Sequence, residues 1–222
     1  MRSRLAAEFV GSAMLLIVIV GSGVMGERLA QGNAAVALLA NSVATGCGLF
    51  ALIVALAPYS RSEFNPLVTL ALRGKDRWSA ASSVVLAQIA GAIVGVALAH
   101  IMFELPLFTL SGKARDGFGQ LSGEAIATFG LMFTILSTRS KGPVVVAAAV
   151  GCYITAAYWF TSSTSFANPA VTIARSLTPT FAGVAPHNVV PFIIAQVLGA
   201  SLAYGLFRAM APVDEPPVSN IR

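Results

Sequence analysis

Charge is the scarcest commodity in this chain. Of 222 residues, only 10% are Asp, Glu, Lys or Arg, against 56% that are hydrophobic. A soluble domain carries about 25% charged residues, so a soluble surface cannot be built from this sequence. Cysteine is nearly absent. Cys47 and Cys152 provide no disulfide framework and no metal-ligand spacing, and both fall in apolar runs, where they read as small buried apolar residues. Histidine occurs twice, at His100 and His187, both near the ends of apolar runs, where an interfacial or loop place suits them better than pH gating. No Ser/His pair, paired Asp or His-rich motif stands at catalytic spacing within the runs, which argues against an enzyme. No cofactor or metal site is legible.

Long apolar runs are what the chain has instead. About 20 apolar residues span a bilayer core, and six stretches qualify: 5–26, 34–57, 80–103, 121–138, 143–161 and 190–210. The first is too long for a signal peptide, and Gly21, Gly23 and Gly26 suit helix packing better than a cleavage site. The net charge of +5 does not point to nucleic acid, because the basic residues are sorted by side. With six crossings, Arg2, Arg4, Arg61, Arg73, Lys75, Arg77, Arg139, Lys141, Arg208 and Arg222 share one side, and Arg28, Lys113, Arg115 and Arg175 share the other. The positive-inside rule then places both termini in the cytoplasm.

Three landmarks recur in the same order. Glu8 and Glu124 each stand four residues before a small hydroxyl residue, Ser12 and Thr128. Asn65-Pro66 and Asn168-Pro169 follow, each leading into a Val-Thr pair. "QIAGA" from Gln88 and "QVLGA" from Gln196 close the series. The halves, 1–110 and 117–211, each hold three spans, an odd number, so they enter the membrane from opposite sides as an inverted repeat. Residues 212–222, with three prolines, read as a flexible cytoplasmic tail.

Asn before Pro is a helix start: Asn caps, and Pro fits the first turn. "LVTLAL" and "AVTIAR" supply about two turns, less than half a bilayer. They read as half-helices that dip in and stop. The preceding "APYSRSEF" and "FTSSTSFA" read as extended strands offering carbonyls to a pore, since irregular backbone survives at membrane depth only against protein or water. The half-helix N-termini meet head-on, so their positive dipole ends repel cations, while two Asn amides donate into the same narrow space. A stripe of small residues, Ala87, Gly91, Gly95 and Ala99, marks a close helix contact.

With these motifs the chain resembles the major intrinsic protein family, the aquaporins and aquaglyceroporins, over nearly its whole length. The resemblance implies an all-α membrane protein with six transmembrane helices and two re-entrant half-helices. It also implies one pore per subunit, a homotetramer in the inner membrane, and passage of small neutral solutes. By it, Asn65 and Asn168 form the central constriction, and Glu8 and Glu124 brace the re-entrant loops. Two departures stand out. The first box has Leu67 where the family usually has Ala, and Val171 stands where it usually has Arg. Arg175, one turn further, is not expected to point into the same constriction. Counting back from each Asn places the selectivity filter at Thr45, Ala156, Ser165 and Val171. Such a filter, without Arg or aromatics, is wide, which implies passage of water and glycerol-like polyols. Bacterial relatives with a similar second box link this family to uncharged metalloid species. A secondary transporter stays open as the alternative, since inverted repeats and broken helices occur there too.

Overall fold

The computed structural model describes residues 1–74 and 78–210. Lys75, Arg77, Arg222 and the tail 212–222 lie outside the described residues. Eight α-helices occur among them, and no strand. Six are long and apolar enough to cross a membrane: α1 (Arg2–Leu29), α2 (Ala34–Leu56), α4 (Trp78–Met102), α5 (Phe118–Thr138), α6 (Pro143–Phe160) and α8 (Pro186–Met210). The two short ones are α3 (Pro66–Leu72) and α7 (Pro169–Arg175), seven residues each.

The helices outrun the apolar stretches where their ends are polar. α1 begins at Arg2 rather than residue 5, and α8 at Pro186 rather than 190. Apolarity stops where water begins, whereas backbone hydrogen bonding continues. Caps set the other ends. Asn33 accepts from the N–H groups of Ala35 and Val36 at 3.1 and 3.3 Å to start α2. Gly142, at φ +92°, turns the chain into Pro143 and α6.

Packing follows the repeat. α1 lies on α4 in the first half as α5 lies on α8 in the second, and α2 meets α6 across the halves. The small-residue stripe is the α1–α4 contact: Gly91 faces the Phe9 carbonyl and Gly95 the Ala13 carbonyl. In the second half Gly199 faces the Ala125 carbonyl in the same way, while Gly205, six residues along α8, has open space around it. The two glycines therefore predict opposite outcomes. Gly199→Ala should lower the thermal midpoint, at a cost of about 1–3 kcal/mol from overpacking. Gly205→Ala should raise it slightly, through a helix-propensity gain of up to about 1 kcal/mol. Thermal unfolding in one detergent compares them directly; equal shifts would show that the α5–α8 contact is loose.

The two cysteines are not buried. Cys47 and Cys152 sit on exposed faces of α2 and α6. A spanning helix turns apolar side chains outward as well as inward, because its outer solvent is lipid, so apolarity carries no inside-versus-outside signal. His100, by contrast, is buried, with Nδ1 against Pro106 O at 2.6 Å and Nε2 against Thr178 Oγ1 at 2.7 Å.

Candidate functional site

A cavity of about 1000 Å³ runs between the helices. Its walls are single helix faces read every fourth residue. α2 contributes Thr45, Leu49, Ile53 and then Ala57; α6 contributes Val146, Val150, Ile154 and Tyr158. One end, where α1 begins and α8 ends, is lined by Arg61, Arg73 and Arg139. The other, the far end, is lined by Thr45, Tyr158, Ser165, Val171 and Arg175.

Asn65 and Asn168 line the cavity between these ends. Each carboxamide oxygen caps its own half-helix: Asn65 Oδ1 accepts from Leu67 N at 3.0 Å, Asn168 Oδ1 from Ala170 N at 3.0 Å and Val171 N at 3.3 Å. Each Nδ2 then reaches across the repeat. Asn65 donates to Ala167 O and Asn168 to Phe64 O, both at 2.8 Å. An amide nitrogen has two hydrogens, so this brace leaves each Asn one donor for the cavity.

The backbone before each Asn is unusual. Ser62 and Phe64 in the first half, and Ser165 and Ala167 in the second, have φ between +46° and +52°. Non-glycine residues there cost on the order of 1–3 kcal/mol each and need their surroundings to hold them. Buried carboxylates do that. Glu8 accepts from Glu63 N (3.0 Å) and Phe64 N (2.8 Å); Glu124 accepts from Phe166 N (2.8 Å) and Ala167 N (3.0 Å). Gln88 donates to Glu8 and Thr69, and Gln196 to Glu124 and Thr172. The segments before the boxes are irregular rather than strands.

The far end departs from the sequence expectation on α6. Ala156 is exposed on the outer face of α6 and does not line the cavity. Its neighbour Ala157 is buried and does not line it either. Tyr158 does, with its hydroxyl 3.3 Å from Thr45 Oγ1. Gapless counting misplaced the position; the four-residue rhythm from Val146 would have found it. Arg175 also lines the cavity, one turn beyond Val171. Asn168, Val171 and Arg175 repeat the face of Asn65, Val68 and Leu72, so one turn further outward is still the same face. Arg175 is buried, its Nε donates to Ala182 O, and its guanidinium lies 3.4 Å from the Phe166 ring centroid. The far end therefore holds both an aromatic and an arginine. Leu67 packs into the core and does not line the cavity. Glu63, which sequence reasoning passed over, does line it; its carboxylate accepts from Thr69 at 2.8 Å and sits 3.4 Å from Arg4.

The α4–α5 connection is stitched over the far end. Ser111 N donates to Ser176 O, Ala185 N to Lys113 O, and Arg115 to Gly183 O and Ser163 O. Lys113 Nζ donates to Phe181 O at 2.8 Å. Burial, then Arg115 and then Arg175, push the Lys113 pKa down to about 8, against a weaker pull from Glu27. Free lysine titrates near 10.4, so its charge opposes folding. That penalty is complete below pH 8 and fades as pH rises to about 10.4. The thermal midpoint should therefore rise between pH 8 and 10, and Lys113→Met should flatten the rise. An identical pH profile in the variant would show that Lys113 is not the group responsible.

Six spanning helices, paired half-helices and a central cavity define a multi-pass integral membrane protein with an inverted repeat. The major intrinsic protein family matches residues 1–143. The chain is 48% identical over 215 residues to aquaglyceroporin AqpS of Rhizobium meliloti (strain 1021), covering 96% of this chain and 92% of that one. It is 30% identical over 228 residues to the probable aquaporin TIP2-2 of Oryza sativa subsp. japonica, covering 96% and 90%. The X-ray structure of the aquaglyceroporin from Plasmodium falciparum superposes with a TM-score of 0.74 at 16% identity, covering 94% of this chain and 96% of that one. The chain belongs to the major intrinsic protein family.

Proposed function

We propose that the protein is a passive channel for small uncharged solutes, water and glycerol-sized polyols, and that the cavity is its path. The observation that carries this reading is the mixed wall. Leu49 and Ile53 of α2 and Val150 and Ile154 of α6 supply apolar surface, while Asn65, Asn168, Thr45 and Ser165 add hydrogen-bonding residues. A polyol has the same division, a carbon edge and a hydroxyl edge. In this reading Asn65 and Asn168 form the waist, and Glu8 and Glu124 brace the loops. Thr45, Tyr158, Ser165 and Val171 form the filter, with Arg175 just beyond. Opposed half-helix N-termini disfavour cations there. The names of the similar proteins support the solute class.

The basic residues at the Arg2 end support a plasma (inner) membrane setting with both termini cytoplasmic. A homotetramer, with 1–110 and 117–211 as the repeats of each subunit, accords with the family. The test is stopped-flow light scattering on proteoliposomes with water, glycerol and boric acid. Non-saturating glycerol flux that ignores ion gradients is expected. Flux that saturates and follows a proton gradient would instead indicate a coupled transporter.

A further inference from the structure

Two buried polar atoms at the far end have no partner: Arg175 Nη1 and Ser165 Oγ. Both residues line the cavity, and each is at least nine-tenths buried. Leaving such groups unmade is costly, more so for a charged one. The charge is unbalanced as well. Arg175 and Arg115 lie against the same ring, at 3.4 and 4.9 Å from the Phe166 centroid. The buried acid near both is Glu124. Its oxygens already accept from Phe166 N, Ala167 N and Gln196. Two guanidinia thus face one carboxylate, and Lys113 adds a third cation at the rim. A buried cation without a counter-charge is a site for an anion.

We propose that the far end of the cavity is an anion-binding site for a small planar monoanion of the carboxylate type, held by Arg175 with Ser165. The inference rests on the cavity being the conduction path only for its consequence, that a bound anion obstructs solute. The chemistry is selective. Arg175 Nε is committed to Ala182 O, which leaves the outer part of the guanidinium, and a planar carboxylate matches that fork where a spherical halide does not. Ser165 offers a hydroxyl donor to a second oxygen.

Two arms test this with the full-length protein. In detergent, thermal unfolding is followed while sodium formate replaces sodium chloride at constant ionic strength; sodium nitrate serves as a planar anion that does not titrate. In proteoliposomes, glycerol flux is followed against the same external series. Formate and nitrate should raise the thermal midpoint and slow flux saturably, and chloride should do neither. Arg175→Met should abolish both effects. Arg175→Lys, which keeps the charge but loses the fork, should raise the half-effective concentration by about tenfold, the worth of one charge-assisted hydrogen bond. Equal effects of chloride, no effect in wild type, or an effect that survives in Arg175→Met or is unchanged in Arg175→Lys would overturn the site. Absence of glycerol flux in wild type would overturn the channel reading instead, and the thermal arm would still decide the anion site.

Discussion

Glu124→Ala should unfold the second re-entrant loop and abolish solute flux. The carboxylate is buried and takes three donors: Phe166 N, Ala167 N and Gln196 Nε2. Alanine leaves two backbone donors unpaired inside the protein, at about 1–3 kcal/mol each. It also releases backbone that is strained at Ser165 and Ala167. The two donors together cost about 2–6 kcal/mol, which corresponds to a fall in thermal midpoint on the order of 10 °C for a chain of this size. Glu124→Gln keeps one oxygen acceptor and should fall between. Detergent thermal unfolding of the three proteins decides it. A Glu124→Ala protein as stable as wild type would mean that the loop is held from elsewhere.

Selectivity should respond in opposite directions at two neighbouring positions of α7. Val171→Arg brings a permanent charge and five donors to the end of the cavity that Tyr158 and Thr45 also line. A glycerol-sized solute must then pass a narrower ring that cannot replace its hydration. The ratio of glycerol to water permeability should drop on the order of tenfold, a barrier difference of about 1.4 kcal/mol. Arg175→Ala should raise that ratio, because Arg175 already lines the same face one turn away. Stopped-flow measurement of both solutes at matched protein density gives the ratio for wild type and each variant. An unchanged ratio in Val171→Arg would remove Val171 from the narrow part of the path.

The architecture was legible in the sequence because its devices are local. An Asn-Pro pair caps and starts a helix wherever it occurs, and a run of apolar residues spans lipid whatever its neighbours. The landmarks Glu8, Asn65 and Gln88, with their partners Glu124, Asn168 and Gln196, could be paired by order alone. The filter was harder because it depends on helix rotation. Ala156 and Tyr158 differ by two residues along α6, which is about 200° around it. Both look apolar enough for either side. Arg175 stands one turn beyond Val171, which preserves the face and changes the depth, so its place on the cavity wall follows from the α7 register. Glu63 was invisible for another reason. It lies inside a box read for its Asn, and the Thr69 and Arg4 contacts that place it are tertiary.

The cross-brace at the waist also imposes an order on biosynthesis. Asn65 donates to a carbonyl that lies 102 residues later in the chain. At about 5–20 residues per second, that partner emerges roughly 5–20 s after Asn65 itself. A seven-residue helix is too short to persist alone over that interval. Glu8 has already been made, however, and its two backbone acceptances at Glu63 and Phe64 need nothing downstream. The first loop can thus be parked against α1 while the ribosome completes the second half. The second loop needs no such wait, because Phe64 O is already in place when Asn168 arrives. The two braces look symmetric in the finished protein, but in time the first half is the template and the second half closes onto it.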